Sequence, residues 1–372
     1  MIKKLLFTLF SFAIFSISYS QQEATDYISG LSEPSAIINK GNILYAQGPK
    51  NLYEINTASG SPTANVIYTA AANFYMTNLT ISGNIIYIAE ENYDEVANVS
   101  FGCRIISIDT NNPGAGITVI YSTPQYVSSL AITGSTIYFT AETAPDANDN
   151  FTLQVQKIDL LNPVATIVKN SVTTDNDAND LAIYENHVYI SVGGKGKIYV
   201  FDIADPTNLG DDDFSFNKGI FFSNQRLFIT EGNLITMMTA NSSNRTTVAQ
   251  NTTYKDNNNG TPFNANFRDV VLIGDKLYMT LLNQGKVVTV QDATLSNKEF
   301  NQDLKAVSVY NSKTELIVSG LENNHQADIY NLSGQLLATK QVSANDNSID
   351  ISSYSHGAYI IKLGTKSFKF IK

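Results

Sequence analysis

Tryptophan is absent from the 372 residues, cysteine occurs once and histidine three times. Each scarcity excludes something. With Cys103 alone, no internal disulfide can form, so stability must come from a packed core. The chain is long enough to build one. Cys103 sits in Gly102-Cys103-Arg104-Ile105-Ile106, an apolar setting that suits a small buried hydrophobe better than a reactive thiol. His187, His325 and His356 are too few and too scattered for a histidine-rich zinc site, and they leave a Ser-His-Asp triad almost no material. Basic residues are also scarce, 24 against 34 acidic for a net charge of −10. Such a surface repels phosphate backbones and anionic membranes, so nucleic-acid binding is not expected.

What is present begins at the first residues. Lys3 and Lys4 precede a largely apolar run of thirteen residues from Leu5 to Ile17, and Ser18 and Ser20 put small residues before Gln21. This is the pattern of a secretory signal peptide spanning residues 1–20. A run of thirteen residues is too short for a bilayer, which needs about 20. Removing residues 1–20 leaves 22 basic against 34 acidic residues, a net charge of −12. No later run reaches eighteen apolar residues, so no transmembrane segment is expected.

The middle of the chain repeats itself. A turn followed by an apolar–aromatic–apolar run occurs at Gly41-Asn42-Ile43-Leu44-Tyr45-Ala46 and at Gly83-Asn84-Ile85-Ile86-Tyr87-Ile88. It returns around Tyr138, Tyr189, Phe228 and Tyr278, with spacings of 42, 51, 51, 39 and 50 residues. Gly-Asn, Gly-Ser and Gly-Asp pairs tolerate the positive φ angles of tight hairpins. Each copy has a short apolar strand before it (Ala36-Ile37-Ile38, Leu79-Thr80-Ile81) and another after it (Ile105-Ile106-Ser107-Ile108-Asp109). A weaker fourth strand reads at Val66-Ile67-Tyr68, Val119-Ile120-Tyr121, Thr166-Ile167-Val168 and Thr247-Val248-Ala249. In the fourth and sixth repeats it is only suggested, by Phe214-Ser215-Phe216 and Lys298-Glu299-Phe300.

Four strands per unit at a period of 40–50 residues is the signature of propeller blades. The expected fold is all-β: a six-bladed β-propeller over residues 21–302, with residues 25–30 as an edge strand that helps close blade six. The run Leu181-Ala182-Ile183-Tyr184, with Val188-Tyr189-Ile190 and Lys197-Ile198-Tyr199-Val200-Phe201-Asp202, resembles the NHL and lactonase-like six-bladed propellers. That resemblance implies metal-binding acids and amides near the start of the inner strands. The fold itself hosts hydrolases, lyases, lectins and scaffolds alike.

The repeated aromatics lie between apolar neighbours and read as blade-to-blade packing rather than a sugar platform. Better site candidates begin each inner strand, which faces the central channel. Nine residues before each aromatic stand Ala36, Asn78, Ser129, Asp180, Gly219 and Asp269; one residue earlier stand Ser35, Thr77, Ser128, Asn179, Lys218 and Arg268. Asn78, Asn179, Asp180, Arg268 and Asp269 are therefore the candidate ligand-binding set at the channel mouth. Asn78, Asp180 and Asp269 carry oxygens suited to a hard cation such as Ca²⁺. The competing expectation is that these groups only solvate a wet channel, with Asp269 paired to Lys218 or Arg268. Acidic stretches at Glu90–Glu95 and Pro145–Asn150 read as solvated loops. Asp175–Asp180 resembles a calcium-friendly run but lacks the glycine and terminal glutamate of an EF-hand loop.

The last seventy residues change character. Val307–Tyr310, Glu315–Val318, Ala327–Tyr330, Leu336–Thr339, Ile349–Ile351, Ala358–Leu363 and Phe368–Ile371 read as seven short strands, hence a small β-sandwich over residues 303–372. Within it, Ile329-Tyr330-Asn331-Leu332-Ser333-Gly334-Gln335-Leu336-Leu337, Gly357-Ala358-Tyr359-Ile360-Ile361-Lys362-Leu363 and the closing Lys366-Ser367-Phe368-Lys369-Phe370-Ile371-Lys372 resemble the type A C-terminal sorting domain of the Bacteroidetes type IX secretion system. Asn331, Gly334, Gly357, Tyr359 and Lys372 carry the motif. The resemblance implies passage through the type IX machinery, removal of the tail, and a protein that is secreted or attached to the outer cell surface. The leading expectation is then a secreted propeller that binds a glycan, polymer or protein partner, with catalysis not favoured. The alternatives are a metal-dependent hydrolase or lyase of the lactonase-like type and a non-catalytic scaffold.

Overall fold

Runs in which alternate residues face opposite sides, both apolar, fold as strands covered on both faces, and in this chain each sheet is covered by the sheets before and after it. The computed structural model describes residues 22–148, 150–174, 176–223, 225–239, 245–258, 260–291, 308–311, 314–319, 325–331, 335–343, 346–363 and 366–372. The expected signal peptide, Asp175, Gly334 and the strand suggested at Lys298–Phe300 lie outside these residues. Among the described residues, no helix is long and apolar enough to cross a membrane. The chain divides into two compact units after residue 296.

Among the described residues the first unit holds six blade sheets, five of four antiparallel strands and one of five, beside a separate two-stranded hairpin. Their inner strands are Ala36–Lys40, Phe74–Ser82, Leu130–Thr133, Asp180–Tyr184, Asn217–Ser223 and Val270–Ile273. Each inner strand touches the next and the last touches the first, which closes a ring of six blades. Blade six takes its outer strand from the N-terminal side: Thr25–Ser29 pairs with Lys286–Gln291. Just before it, Gln22–Glu23 lies parallel to Arg245–Gln250 at the edge of blade five. The segment is pinned by Glu23, which accepts from the backbone N–H of Thr252 at 2.6 Å and of Thr253 at 3.0 Å. Asp26 adds an ion pair with Lys286 at 2.8 Å.

The aromatic ladder packs blade on blade. Tyr45 joins the apolar cluster shared with blade two, Tyr87 that shared with blade three, and Tyr138 that shared with blade four. Tyr189, Phe228 and Tyr278 continue the pattern into blades five, six and one. Cys103 is buried and accepts a hydrogen bond from Val127 N at 3.2 Å, and burial pushes its thiol up to about 12.

Two local expectations are corrected. The outer strand of blade four is Gly210–Asp213, not Phe214-Ser215-Phe216. An acidic run becomes a strand here because Lys197 bridges Asp211 and Asp213 at 2.7 and 2.9 Å and Arg245 meets Asp212 at 2.5 Å. In blade two, Glu90–Asp94 is not a loop but the continuation of a long hairpin, Ile85–Asp94 with Val99–Asp109. Glu90 is fully buried there, held by Arg104 at 2.8 Å and by the Tyr68 hydroxyl at 2.6 Å. The blade-three stretch Pro145–Asn150 does remain a loop, organised by Asp146, which accepts from the N–H groups of Asn148 and Asn150.

The second unit packs two sheets, Ser308–Asn311 with Glu315–Ser319 and Ser348–Asp350, and Leu336–Val342 with His325–Asn331, Ala358–Leu363 and Lys366–Ile371. Leu316, Ile329, Ile349, Ile361 and Phe370 share its core. Asn331 Oδ1 accepts from Gln335 N at 2.9 Å. Tyr359 stacks on Phe370 at 5.4 Å and donates to Ser355 O. Gly357 and Lys372 exchange backbone hydrogen bonds, which ties down the last residue.

Candidate functional site at the channel mouth

The six inner strands enclose a channel of about 230 Å³, and Asn78, Asp180 and Asp269 are among its lining residues. Their side chains share one geometric role. Asn78 Oδ1 accepts from Leu130 N of blade three at 3.3 Å. Asp180 Oδ2 accepts from Ile220 N of blade five at 2.9 Å. Asp269 Oδ2 accepts from Ile37 N of blade one at 2.7 Å. Each even-numbered blade thus reaches across to the second inner-strand residue, or its equivalent, of the blade that follows. The odd blades carry Ala36, Ser129 and Gly219 at the matching position, all small. At Gly219 this is obligatory, since an added Cβ would lie 2.4 Å from Asp269 Oδ1 and 2.6 Å from its Cα.

The remaining oxygens are used as well. Asp180 Oδ1 takes its own strand's Leu181 N–H at 2.9 Å and the Asn78 amide at 3.4 Å. Asp269 Oδ1 takes Val270 N–H at 2.7 Å. Both carboxyls are surrounded by protein yet keep an edge toward the channel. Burial pushes Asp180 up to about 6, opposed by its backbone hydrogen bonds. Burial, with the neighbouring charge of Asp180, raises Asp269 well above the usual carboxylate range. A divalent cation wants ionised carboxylates with free lone pairs. Each of these side chains accepts N–H bonds that join one inner strand to the next, so the set acts as a latch between blades. Among the described residues, no group of three or more His, Cys, Asp or Glu is arranged to hold a metal.

One residue further out, the ring of side chains differs. Ser35 donates to Gln47 O, Thr77 to Val127 O, and Ser128 pairs with Thr140. Lys218 Nζ donates to Asn179 Oδ1 at 2.7 Å, which joins blades four and five. Arg268 stands apart. Its guanidinium has no hydrogen bond or ion pair among the described residues, and it is half enclosed. Burial lowers its pKa and the charge of Asp269 partly restores it. Lys218 is lowered by burial and then by Arg268, so the two cations sense one another. Of the five expected residues, Asn78, Asp180 and Asp269 line the channel, while Asn179 and Arg268 stand in the ring outside it. Asp269 does not form an ion pair within 4 Å with either Lys218 or Arg268 among the described residues.

Glu142, at the end of the second strand of blade three, is pushed up to about 8 by burial, a hydrogen bond with Asp177, and the charges of Asp177 and Glu91. Asp177 also acts on Lys218 and favours its charged form, so carboxyl and cation lie within reach of one another here. Sequence reasoning missed a set of hydroxyls two residues beyond the ladder aromatics. Thr140, Thr230 and Thr280 each accept the N–H that opens the neighbouring inner strand, at Ser129, Gly219 and Asp269. A threonine at a fixed offset in three blades was the available signal.

Comparison with known proteins places the tail but not the ring. The secretion system C-terminal sorting domain family matches residues 308–372. No curated protein matches the chain. Among solved structures, similar folds include a nidogen/laminin complex at 12% identity and a TM-score of 0.43, covering 58% of this chain and 82% of that one. An oligogalacturonate lyase in complex with manganese is similar at 12% identity and 0.41, covering 68% and 75%. The computationally designed Ika8 protein follows at 11% and 0.38, covering 94% and 100%. At such scores the neighbours carry no functional argument. The tail is a type IX sorting domain, and the protein it labels is exported to be secreted or attached to the outer cell surface.

Proposed function

We propose that this exported propeller is a binding protein that recognises an anionic polymer, a glycan in the first instance, at the mouth of its channel. The observation that carries the reading is Arg268. Five of the six side chains in its ring have a partner within the chain, whereas this guanidinium has none among the described residues. A partly desolvated cation without a partner is costly, and an incoming carboxylate or sulfate would satisfy it with two parallel hydrogen bonds. Lys218 supplies a second positive charge, and the absence of catalytic histidine near the mouth favours binding over turnover. The alternative, a metal-dependent hydrolase or lyase, rests on Asn78, Asp180 and Asp269, whose donors and acceptors are engaged between blades.

The test is a binding titration of the whole secreted protein with acidic and neutral polysaccharides. Arg268→Gln should weaken binding of the acidic ones at least tenfold and reduce the salt dependence, with the fold unchanged by circular dichroism. Unaltered affinity in that variant sinks the reading.

A further inference from the structure

A second concavity, of about 590 Å³, opens beside the mouth on blade five. Its walls include Phe216, Phe263, Asn233, Asn264, Asn266 and Glu231. Phe216 occupies the turn between the outer strand of blade four and the inner strand of blade five. It is 73% exposed, with a backbone φ of +54°. Glycine, asparagine or a flexible polar residue takes this conformation elsewhere in the chain. For a bulky aromatic it is strained, and strain of this kind persists where surrounding structure enforces it, often at ligand sites. Phe214, two residues earlier, turns inward beneath Arg245 at 3.8 Å. Phe216 is thus presented to solvent rather than left over from the core.

Phe263 faces the same groove, 42% exposed, from a hairpin that lies outside the six blades, Lys255–Asn258 with Thr261–Asn264. Gln284 of blade six holds that hairpin, donating to Asp256 Oδ1 at 2.6 Å and to Lys255 O at 3.1 Å. Between the two rings stand amides with unused capacity. Asn233 gives its amide N–H to Asn251 O, and its Oδ1 has no partner among the described residues. Asn264 accepts from Lys255 Nζ, and its Nδ2 has no partner among the described residues. Asn266 makes no side-chain hydrogen bond among the described residues. Glu231 is fixed by Ser215 N and the Thr236 hydroxyl.

We propose that this groove is a carbohydrate subsite, in which sugar rings lie against Phe216 and Phe263 while Asn233, Asn264 and Asn266 pair with their hydroxyls. A sugar ring offers apolar C–H faces to aromatics and hydroxyls that both donate and accept, and primary amides match the latter with a donor and an acceptor on one group. A concave wall of this size suits a few linked rings better than a protein face, which needs a broader patch. Phe216 precedes Lys218 by two residues and Asn266 precedes Arg268 by two, so groove and mouth are about 7 Å apart along each segment. A bound chain running inward brings an acidic substituent to the cations, and the ligand class becomes an oligosaccharide carrying uronate or sulfate groups. That extension rests on the reading of the mouth given above; the groove itself does not.

The experiment titrates the whole secreted protein calorimetrically with xylan, mannan and cellulose hexasaccharides and with polygalacturonate and alginate hexasaccharides. Binding of at least one is expected. Phe216→Ala combined with Phe263→Ala should weaken every sugar that binds by tenfold or more, whereas Arg268→Gln should weaken only the acidic ones. Phe216→Gly, which relaxes the backbone, should lose affinity while its melting temperature rises, so lost binding is not mistaken for lost folding. The proposal is overturned if the wild-type protein binds none of the five, or if the double variant binds as the wild type does. An unchanged double variant alongside a weakened Arg268→Gln removes the groove and leaves the mouth. The reverse result removes the mouth and leaves the groove.

Discussion

Asp180→Asn should change how the stability of the propeller depends on pH, in a direction set by the latch. The carboxyl is ordinarily near 3.8 and stands at about 6 in the fold, chiefly through burial. The folded state therefore holds its proton longer than the unfolded chain. Stability from this group is fully present below about pH 4 and is lost as pH rises through about 6. Each pKa unit is worth about 1.4 kcal/mol, so the loss across that window is about 3 kcal/mol. The amide introduced by Asp180→Asn would keep an oxygen for Ile220 N–H and has no charge to bury. Surface carboxyls act with the opposite sign: Asp26, lowered by Lys286 and Tyr254, stabilises above its unfolded pKa and loses that contribution as pH falls. Such surface groups are common to both proteins and cancel in the comparison, whereas Asp269, raised in part by the charge of Asp180, is relieved in the variant and deepens the difference in the same direction. Urea unfolding followed by far-ultraviolet dichroism at pH 4, 5, 6 and 7 gives the two curves. Wild type minus variant should fall by about 3 kcal/mol between pH 4 and 7. Parallel curves would refute the claim that a buried, proton-retaining carboxyl joins blades four and five.

Three further outcomes follow from the packing. Gly219→Ala should destabilise the ring by about 1–3 kcal/mol, because its Cβ meets Asp269 at 2.4 Å, and denaturant midpoints will show it. Arg104→Ala leaves Glu90 buried without its ion partner and should cost about 3–5 kcal/mol; a smaller loss that Glu90→Gln does not rescue would count against it. Phe216→Gly should raise stability by about 1 kcal/mol by relieving a left-handed aromatic, read as an increase in thermal midpoint.

The ring was legible because its signals are local. Turn glycines such as Gly41, Gly83, Gly134 and Gly274 do adopt positive φ, and the aromatic between apolar neighbours marks the second strand in every blade. The tail was legible for a different reason, a motif compact enough to read residue by residue. What sequence concealed were partners that carry no side-chain signature. The backbone N–H groups of Leu130, Ile220 and Ile37 are marked by no residue type, so the bonds that Asn78, Asp180 and Asp269 make across the seams could not be read from sequence. The same blindness hid Glu90, whose neighbours Glu91 and Glu95 suggest solvent while Arg104, fourteen residues away, encloses it. Composition likewise hid the strand at Asp211–Asp213, because Lys197 and Arg245 are distant in sequence and adjacent across strands.

The latches also bear on where the proposed recognition lies. They join blade two to three, four to five and six to one, so the polar material nearest the axis closes alternate seams of the ring. Chemistry left free at the hub is therefore displaced outward by one residue, to the ring where Asn179 and Lys218 pair and Arg268 does not. It is also displaced sideways. Glu142 and Asp177 hold one another, which disfavours an anion beside them. Lys218 and Arg268 share chain segments with the groove of Phe216 and Phe263. In the proposed mode one end of the ligand therefore lies at Arg268 and the rest along the groove. Six blades of like topology build the scaffold, and the proposed binding side rests on what the last two blades carry beyond it: Arg268, Phe216 and the hairpin of Phe263.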